Sequence, residues 1–202
     1  MVARMTVAQY QALMQRRRGT QAVQPAAAAV PRKKPARNKT PVHSGPPSLP
    51  EPPAIAPLIA GLSGVGYVET LLMPYSEELL TSNQRLHHMA HHRLRKQLRA
   101  DAASLAMAKR LPHLQRAAIF YVLHPRPIAR KRDPGNWAPT AKAYVDGLVS
   151  EGGLLPDDNH EHLLGPSPVM GPPVTTGFAR MSLVIVELTE PVTSQNTQSV
   201  AT

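Results

Sequence analysis

The chain has 202 residues, no cysteine and a formal net charge of +10 at pH 7. The missing cysteines exclude disulfides, thiolate metal sites and cysteine nucleophiles. The charge favours a polyanionic partner, nucleic acid before an anionic membrane.

The excess charge is concentrated at the start. Residues 1–60 carry nine Lys/Arg against a single acid, Glu51, whereas residues 61–202 carry fourteen against twelve. A short amphipathic helix is expected near Thr6–Met14, where Thr6 and Gln9 have capping-box spacing. The Ala/Pro-rich stretch that follows (20–56) offers repeated prolines and few large apolar groups. Prolines remove backbone donors, and so little burial cannot offset ordering entropy. Residues 1–56 are therefore expected as a basic, mostly disordered segment, 57–191 as the folded domain and 192–202 as a flexible tail. No apolar run approaches the ~18 residues that would span a bilayer, so no membrane partner is expected.

Within the folded part, 65–74 reads as a strand ending at Pro74. Residues 81–111 read as one long helix, with Leu86, Ala90, Leu94, Leu98, Ala102 and Leu105 as its apolar stripe. A β-branched and aromatic run at 116–124 predicts a second strand. A second helix spans about 138–151, with Ala141, Tyr144, Val145 and Leu148 on its buried side and a stop at Gly152-Gly153. A short strand near 161–165 and a clear one at 179–190 complete the order. The expected fold is α+β: a two-layer β-α-β-α-β-β domain, a mixed sheet with two helices on one face.

The chemistry gathers in "RKRDPGNWAPTAKAYVDGLVSEGGLLPDD", residues 130–158. Pro134 and Gly135 suit the centre of a type II turn, which would set Asp133 and Asn136 between a strand end and a helix start. Lys142 and Asp146 are four apart on one helix face. The Gly152-Gly153 break could bring Asp157-Asp158 back toward Asp133. Carboxylates converging from separate elements suit Mg²⁺, which takes hard oxygen ligands and leaves positions for water and phosphate. Arg130, Lys131 and Arg132 would hold flanking phosphates. The plainer alternative is a surface turn, a helix cap at Asn136, a Lys142–Asp146 ion pair and a polar loop at Asp157-Asp158.

Two further features stay open at this level. His87/His91 and His88/His92 are i,i+4 pairs that could bind zinc. With Arg85, Arg93, Arg95, Lys96 and Arg99 on the same stretch, a wet, DNA-facing basic face is the better reading. Trp137 could stack on an unpaired base or pack in the core.

The run Arg132-Asp133-x-x-Asn136, then Lys142, Asp146-Gly147-Leu148 and Asp157-Asp158, resembles the signature of RusA-type Holliday-junction resolvases, R-D-x-D-N, K-x-x-x-D-x-L and D-D. Asn83, Arg85 and His87 are similar to the Asn-x-Arg-x-His stretch of phage-borne members. The resemblance covers about residues 62–190. It implies a homodimeric, Mg²⁺-dependent endonuclease (Mn²⁺ as a substitute ion) that resolves four-way DNA junctions in recombination and repair, with no small-molecule cofactor and a cytoplasmic, phage-like setting. By the same resemblance Asp133, Lys142 and Asp158 would be catalytic. Asp133, Asp157, Asp158 and Asp146 would surround the metal. Arg85, His87, Arg93, Lys96, Arg130, Lys131, Arg132 and Asn136 would meet DNA. One departure stands out: Gly135 occupies the place of the signature's second acid, and the gap from Asn136 to Lys142 is about three residues longer. Asp157, Asp146 or Glu161 would then substitute, or the site would hold a single ion more weakly, or the chain would bind junctions and cut them poorly or not at all.

Overall fold

The computed structural model describes residues 46–126 and 131–189. The helix expected near Thr6–Met14, the tail from 192 and Arg130 lie outside these residues. Four strands form one sheet: β1 (Val65–Leu72), β2 (Ala117–His124), β3 (Leu163–Met170) and β4 (Arg180–Leu188), in the order β1-β4-β2-β3. β4 runs antiparallel to both β1 and β2, and β2 runs parallel to β3. The sheet is mixed and the fold is α+β, with the element order the sequence predicts.

The strand sequences explain their places. β2 and β4 read as nearly unbroken apolar runs, and both are buried along almost their whole length, as centre strands covered on two faces must be. β3 carries Pro166 and Pro168 and has a single buried residue, Leu163, which suits an edge.

Two helices cover one face. Helix α1 (His88–Lys109) buries Leu94, Leu98, Ala102, Ala103 and Ala106. Helix α2 (Ala138–Asp146) buries Ala141, Tyr144 and Val145, and runs on through a π-helical turn, Gly147–Glu151, that buries Leu148 and Val149. These side chains join Ile119, Tyr121, Leu123, Leu183 and Ile185 in the main core. On the opposite sheet face Val122, Val184 and Val186 form a smaller cluster against Leu58, Ile59 and Leu62, around the single helical turn Ala56–Ile59.

Three features differ from expectation, besides the third strand, expected near 161–165 and found at Leu163–Met170. The first helix starts at His88, not near 81, because the preceding segment is held by long-range bonds. Ser82 N–H donates to the Asn136 carbonyl at 2.8 Å, and Asn83 Nδ2 to Asn136 Oδ1 at 3.0 Å. Second, residues 46–56, expected with the disordered segment, are tied to the 174–178 loop at one end. Ser48 Oγ accepts from Thr175 N and Thr176 N at 2.9 and 3.0 Å, and Thr176 Oγ1 donates to Pro46 O at 2.6 Å. Third, the segment Pro134–Trp137 is a 3₁₀ turn capped by Asp133, not a type II turn, and Asn136 does not cap α2.

A buried histidine at the end of β2 adds a testable pH dependence. His124 is fully buried, its Nδ1 3.0 Å from Pro172 O and its Nε2 2.9 Å from Ser182 Oγ. Burial lowers its pKa, and nearby Arg180 lowers it further against the opposing pull of the Pro172 carbonyl. The unfolded chain, with a pKa of about 6.5, therefore takes up the proton first. Stability is fully present above about pH 6.5 and is lost as pH falls below it toward the depressed folded value. Urea midpoints measured from pH 8 to pH 5 should fall, and the fall should be smaller in His124→Gln.

Candidate functional site

The site is built where α2 and the loop after it meet. Helix α2 presents Lys142 outward between buried Ala141 and Ala143. One turn later comes Asp146, 7% exposed. The loop is returned by Gly153, whose φ is +67°, a conformation glycine adopts without steric penalty. It is then pinned: Leu154 and Leu155 are buried, Leu154 N–H donates to Leu148 O at 3.0 Å and Leu154 O accepts from Leu114 N at 2.8 Å. This anchor fixes Asp157 and Asp158 just beyond it.

The result is a bonded chain of charges. Lys142 Nζ donates to Asp146 Oδ1 at 2.8 Å and to Asp158 Oδ2 at 2.5 Å. Asp146 Oδ2 accepts from Arg95 Nη2 of α1 at 2.7 Å. Asp157 bonds locally, accepting from Asp158 N at 2.7 Å and from Asn159 Nδ2 at 2.9 Å. The hydrogen bonds that Lys142 donates to Asp146 and Asp158 raise its pKa above the ordinary value. Burial pushes Asp146 up, but the bonds from Lys142 and Arg95 outweigh it and leave the carboxyl below the usual range. The Asp158 N–H and the Asn159 amide hold Asp157 low as well. Lys142 is thus an ammonium at neutral pH, a donor and a positive charge, not a base.

Asp133 is not part of this bonded group. Its Oδ1 accepts from Gly135 N at 2.9 Å, and its charge, after burial, helps raise the pKa of Tyr121. Tyr121 Oη donates to Pro134 O at 3.2 Å and so ties the acidic turn to β2. Gly135 allows the close cap: a Cβ there would lie 3.1 Å from Asp133 Oδ1. The longer gap between Asn136 and Lys142 is taken up by the 3₁₀ turn and the Pro139-started first turn of α2.

The expected DNA contacts fall in different settings. Lys131 and Arg85 are exposed, and Arg93 and Lys96 are exposed on α1. His87 caps α1, its Nδ1 accepting from Met89 N at 3.4 Å, and its ring lies 4.3 Å from that of His88. Arg132 lies 5.5 Å over the ring of Trp137, which is buried; core packing describes this tryptophan better than base stacking. Asn136 holds the 82–83 segment, as described above.

Sequence reasoning did not single out Arg95 as a site residue. In the sequence it is one more cation of the basic stretch, next to Leu94 of the buried stripe. Its partner is 51 residues away, and spacing along one helix cannot reveal that.

Every acid here offers carboxylate oxygen, the hard donor Mg²⁺ takes, and one or two such ligands suffice when water and phosphate fill the rest. The oxygen donors are of the kind the ion takes, and Asp133 and Asp158 stand in separate bonded groups. Among the described residues no three His, Asp or Glu side chains are grouped to hold a metal. Also among them, no helix is long and apolar enough to cross a membrane. No family model matches the chain, and no curated protein matches it.

Proposed function

We propose that this chain is a structure-selective DNA endonuclease that resolves four-way junctions by metal-dependent phosphodiester hydrolysis, as its resemblance to RusA-type resolvases implies. One observation carries the reading: Lys142, Asp146 and Asp158, three positions of the signature, form one bonded group although the last two are separated by a loop. The plainer reading, a Lys142–Asp146 ion pair with a polar loop at Asp157-Asp158, anticipates the first of these contacts and not the second.

Asp133 and Asp158 would hold Mg²⁺, with Asp157 behind Asp158. When bound, the ion would polarise the scissile phosphate and lower the pKa of an attacking water. Lys142, kept as an ammonium, would stabilise charge developing on the phosphate or leaving oxygen. Asp146 and Arg95 would position that ammonium from behind. Lys131 and the exposed cations of α1 would supply phosphate contacts that give affinity without reading sequence. A homodimer would set two such sites against the two related strands of a junction.

A second reading is a junction-binding protein without cleavage activity. It is favoured by Gly135, which has no ligand atoms where the signature has an acid, and by the engagement of Asp146 and Asp158 with cations. Incubating the protein with a synthetic four-way junction and Mg²⁺ separates the two. Paired symmetric nicks are expected. Binding without nicks under Mg²⁺ or Mn²⁺ selects the second reading, and binding no tighter than to linear duplex removes both.

A further inference from the structure

A recess of about 490 Å³ lies between α1 and the π turn, lined by His92, Arg95, Lys96, Arg99, Ala100 and Glu151. Three of these side chains are permanent cations and one is an acid. Arg99 lies one turn beyond both Arg95 and Lys96 on the helix surface, so the three cations spread over two turns and not at a point. Two are already oriented by acids, of which Glu151 lines the recess. Arg95 Nη2 holds Asp146 at 2.7 Å and Arg99 Nη2 holds Glu151 at 2.9 Å, yet their side chains remain 45% and 32% exposed. Such guanidiniums are pre-organised to donate to a planar or tetrahedral oxyanion. The volume exceeds what one phosphate group needs.

We infer that this recess seats the phosphodiester backbone of the DNA arm leaving the Lys142–Asp158 centre, with Arg95, Lys96 and Arg99 on consecutive backbone oxygens. The inference rests on the DNA-cleaving or DNA-binding reading and adds the path of the strand. Asp146 accepts from both Arg95 in the recess and Lys142 in the centre, so the seat adjoins the centre directly. Glu151 opposes the ligand: it lines the recess and its carboxylate competes for Arg99.

Opposite-sign variants test the seat. Junction affinity is measured by fluorescence anisotropy across a salt series for the full chain, Lys96→Ala and Glu151→Gln. Lys96→Ala should weaken binding about five- to tenfold at low salt and reduce the salt slope by about 1. Glu151→Gln should tighten binding roughly two- to fivefold, which damage to the fold would not do. If the unaltered protein binds junctions and both variants match it, the seat is wrong while the DNA reading stands. If the unaltered protein binds no DNA, the reading and the seat fall together.

Discussion

Asp133→Asn is expected to lower junction cleavage by about a thousandfold while leaving junction affinity within about twofold. The size follows from removing a charged ligand or electrostatic partner of a phosphoryl-transfer centre, where one such group contributes several kcal/mol to the barrier. The choice of asparagine matters. In the fold Asp133 Oδ1 accepts from Gly135 N at 2.9 Å and caps the 3₁₀ turn. Asparagine keeps an acceptor oxygen at that place and caps about as well as aspartate. The substitution therefore removes charge and leaves the local structure. If Asp133 were only a cap, the rate would not change, and an unchanged single-turnover rate would end the role assigned to it.

Gly135→Asp is the complementary arm of the same experiment. Gly135 is not among the positive-φ glycines, so a side chain is compatible with its backbone. The Cβ would press on Asp133 Oδ1 at 3.1 Å, an adjustment of a few tenths of an ångström for a terminal carboxylate. Restoring the signature's acid should then raise the Mg²⁺-dependent rate or lower the Mg²⁺ concentration for half-maximal activity. A lower rate together with a higher half-maximal Mg²⁺ concentration would mean that the turn has adapted to glycine and that the site works without a second acid there.

The parts of this site legible in the sequence are those fixed by short-range rules. The Lys142–Asp146 pair follows from 3.6-residue periodicity, and β2 and β4 are visible as runs too apolar to face water. The chain reversal at Gly152-Gly153 is a local signal, but the sequence directs Asp157-Asp158 toward Asp133, whereas in the fold Asp158 bonds Lys142. Features set by partners about fifty residues apart were not reachable. Asn83 bonding Asn136 takes residues 81–87 out of the helix, against a stripe that runs through Leu86. Arg95 reads as one more cation on a basic helix, and only the packing of α1 against α2 brings it to Asp146. The 3₁₀ turn likewise depends on the Asp133 cap and the Tyr121 hydroxyl below it, neither encoded in the Pro-Gly pair. Long-range polar contacts leave no period, and periodicity is the main thing a single sequence displays.

The close approach of the two helices makes Gly147→Ala the largest expected loss of stability. Gly147 is buried at the start of the π turn, and a Cβ there would overlap the carbonyl oxygen of Arg99, a backbone atom that cannot rotate away. Alanine would gain up to about 1 kcal/mol of helix propensity, but overpacking against rigid structure costs about 3 kcal/mol. A net loss of about 2 kcal/mol should lower the Tm by roughly 4–8 °C for a chain of this size. The strain would fall on the linkage that aligns the site. Pushing α1 from α2 stretches Arg95–Asp146 and Arg99–Glu151, the two ion pairs that cross between the helices. The lysine pair Lys142–Asp158 lies on α2 and its own loop, and should survive. Gly147→Ala should therefore weaken junction binding through the displaced guanidiniums more than it slows cleavage of bound junction, a split that scanning calorimetry with single-turnover kinetics resolves. A Tm equal to or above that of the unaltered protein would show that the helices are not apposed this closely, and would remove the basis for coupling the recess to Lys142.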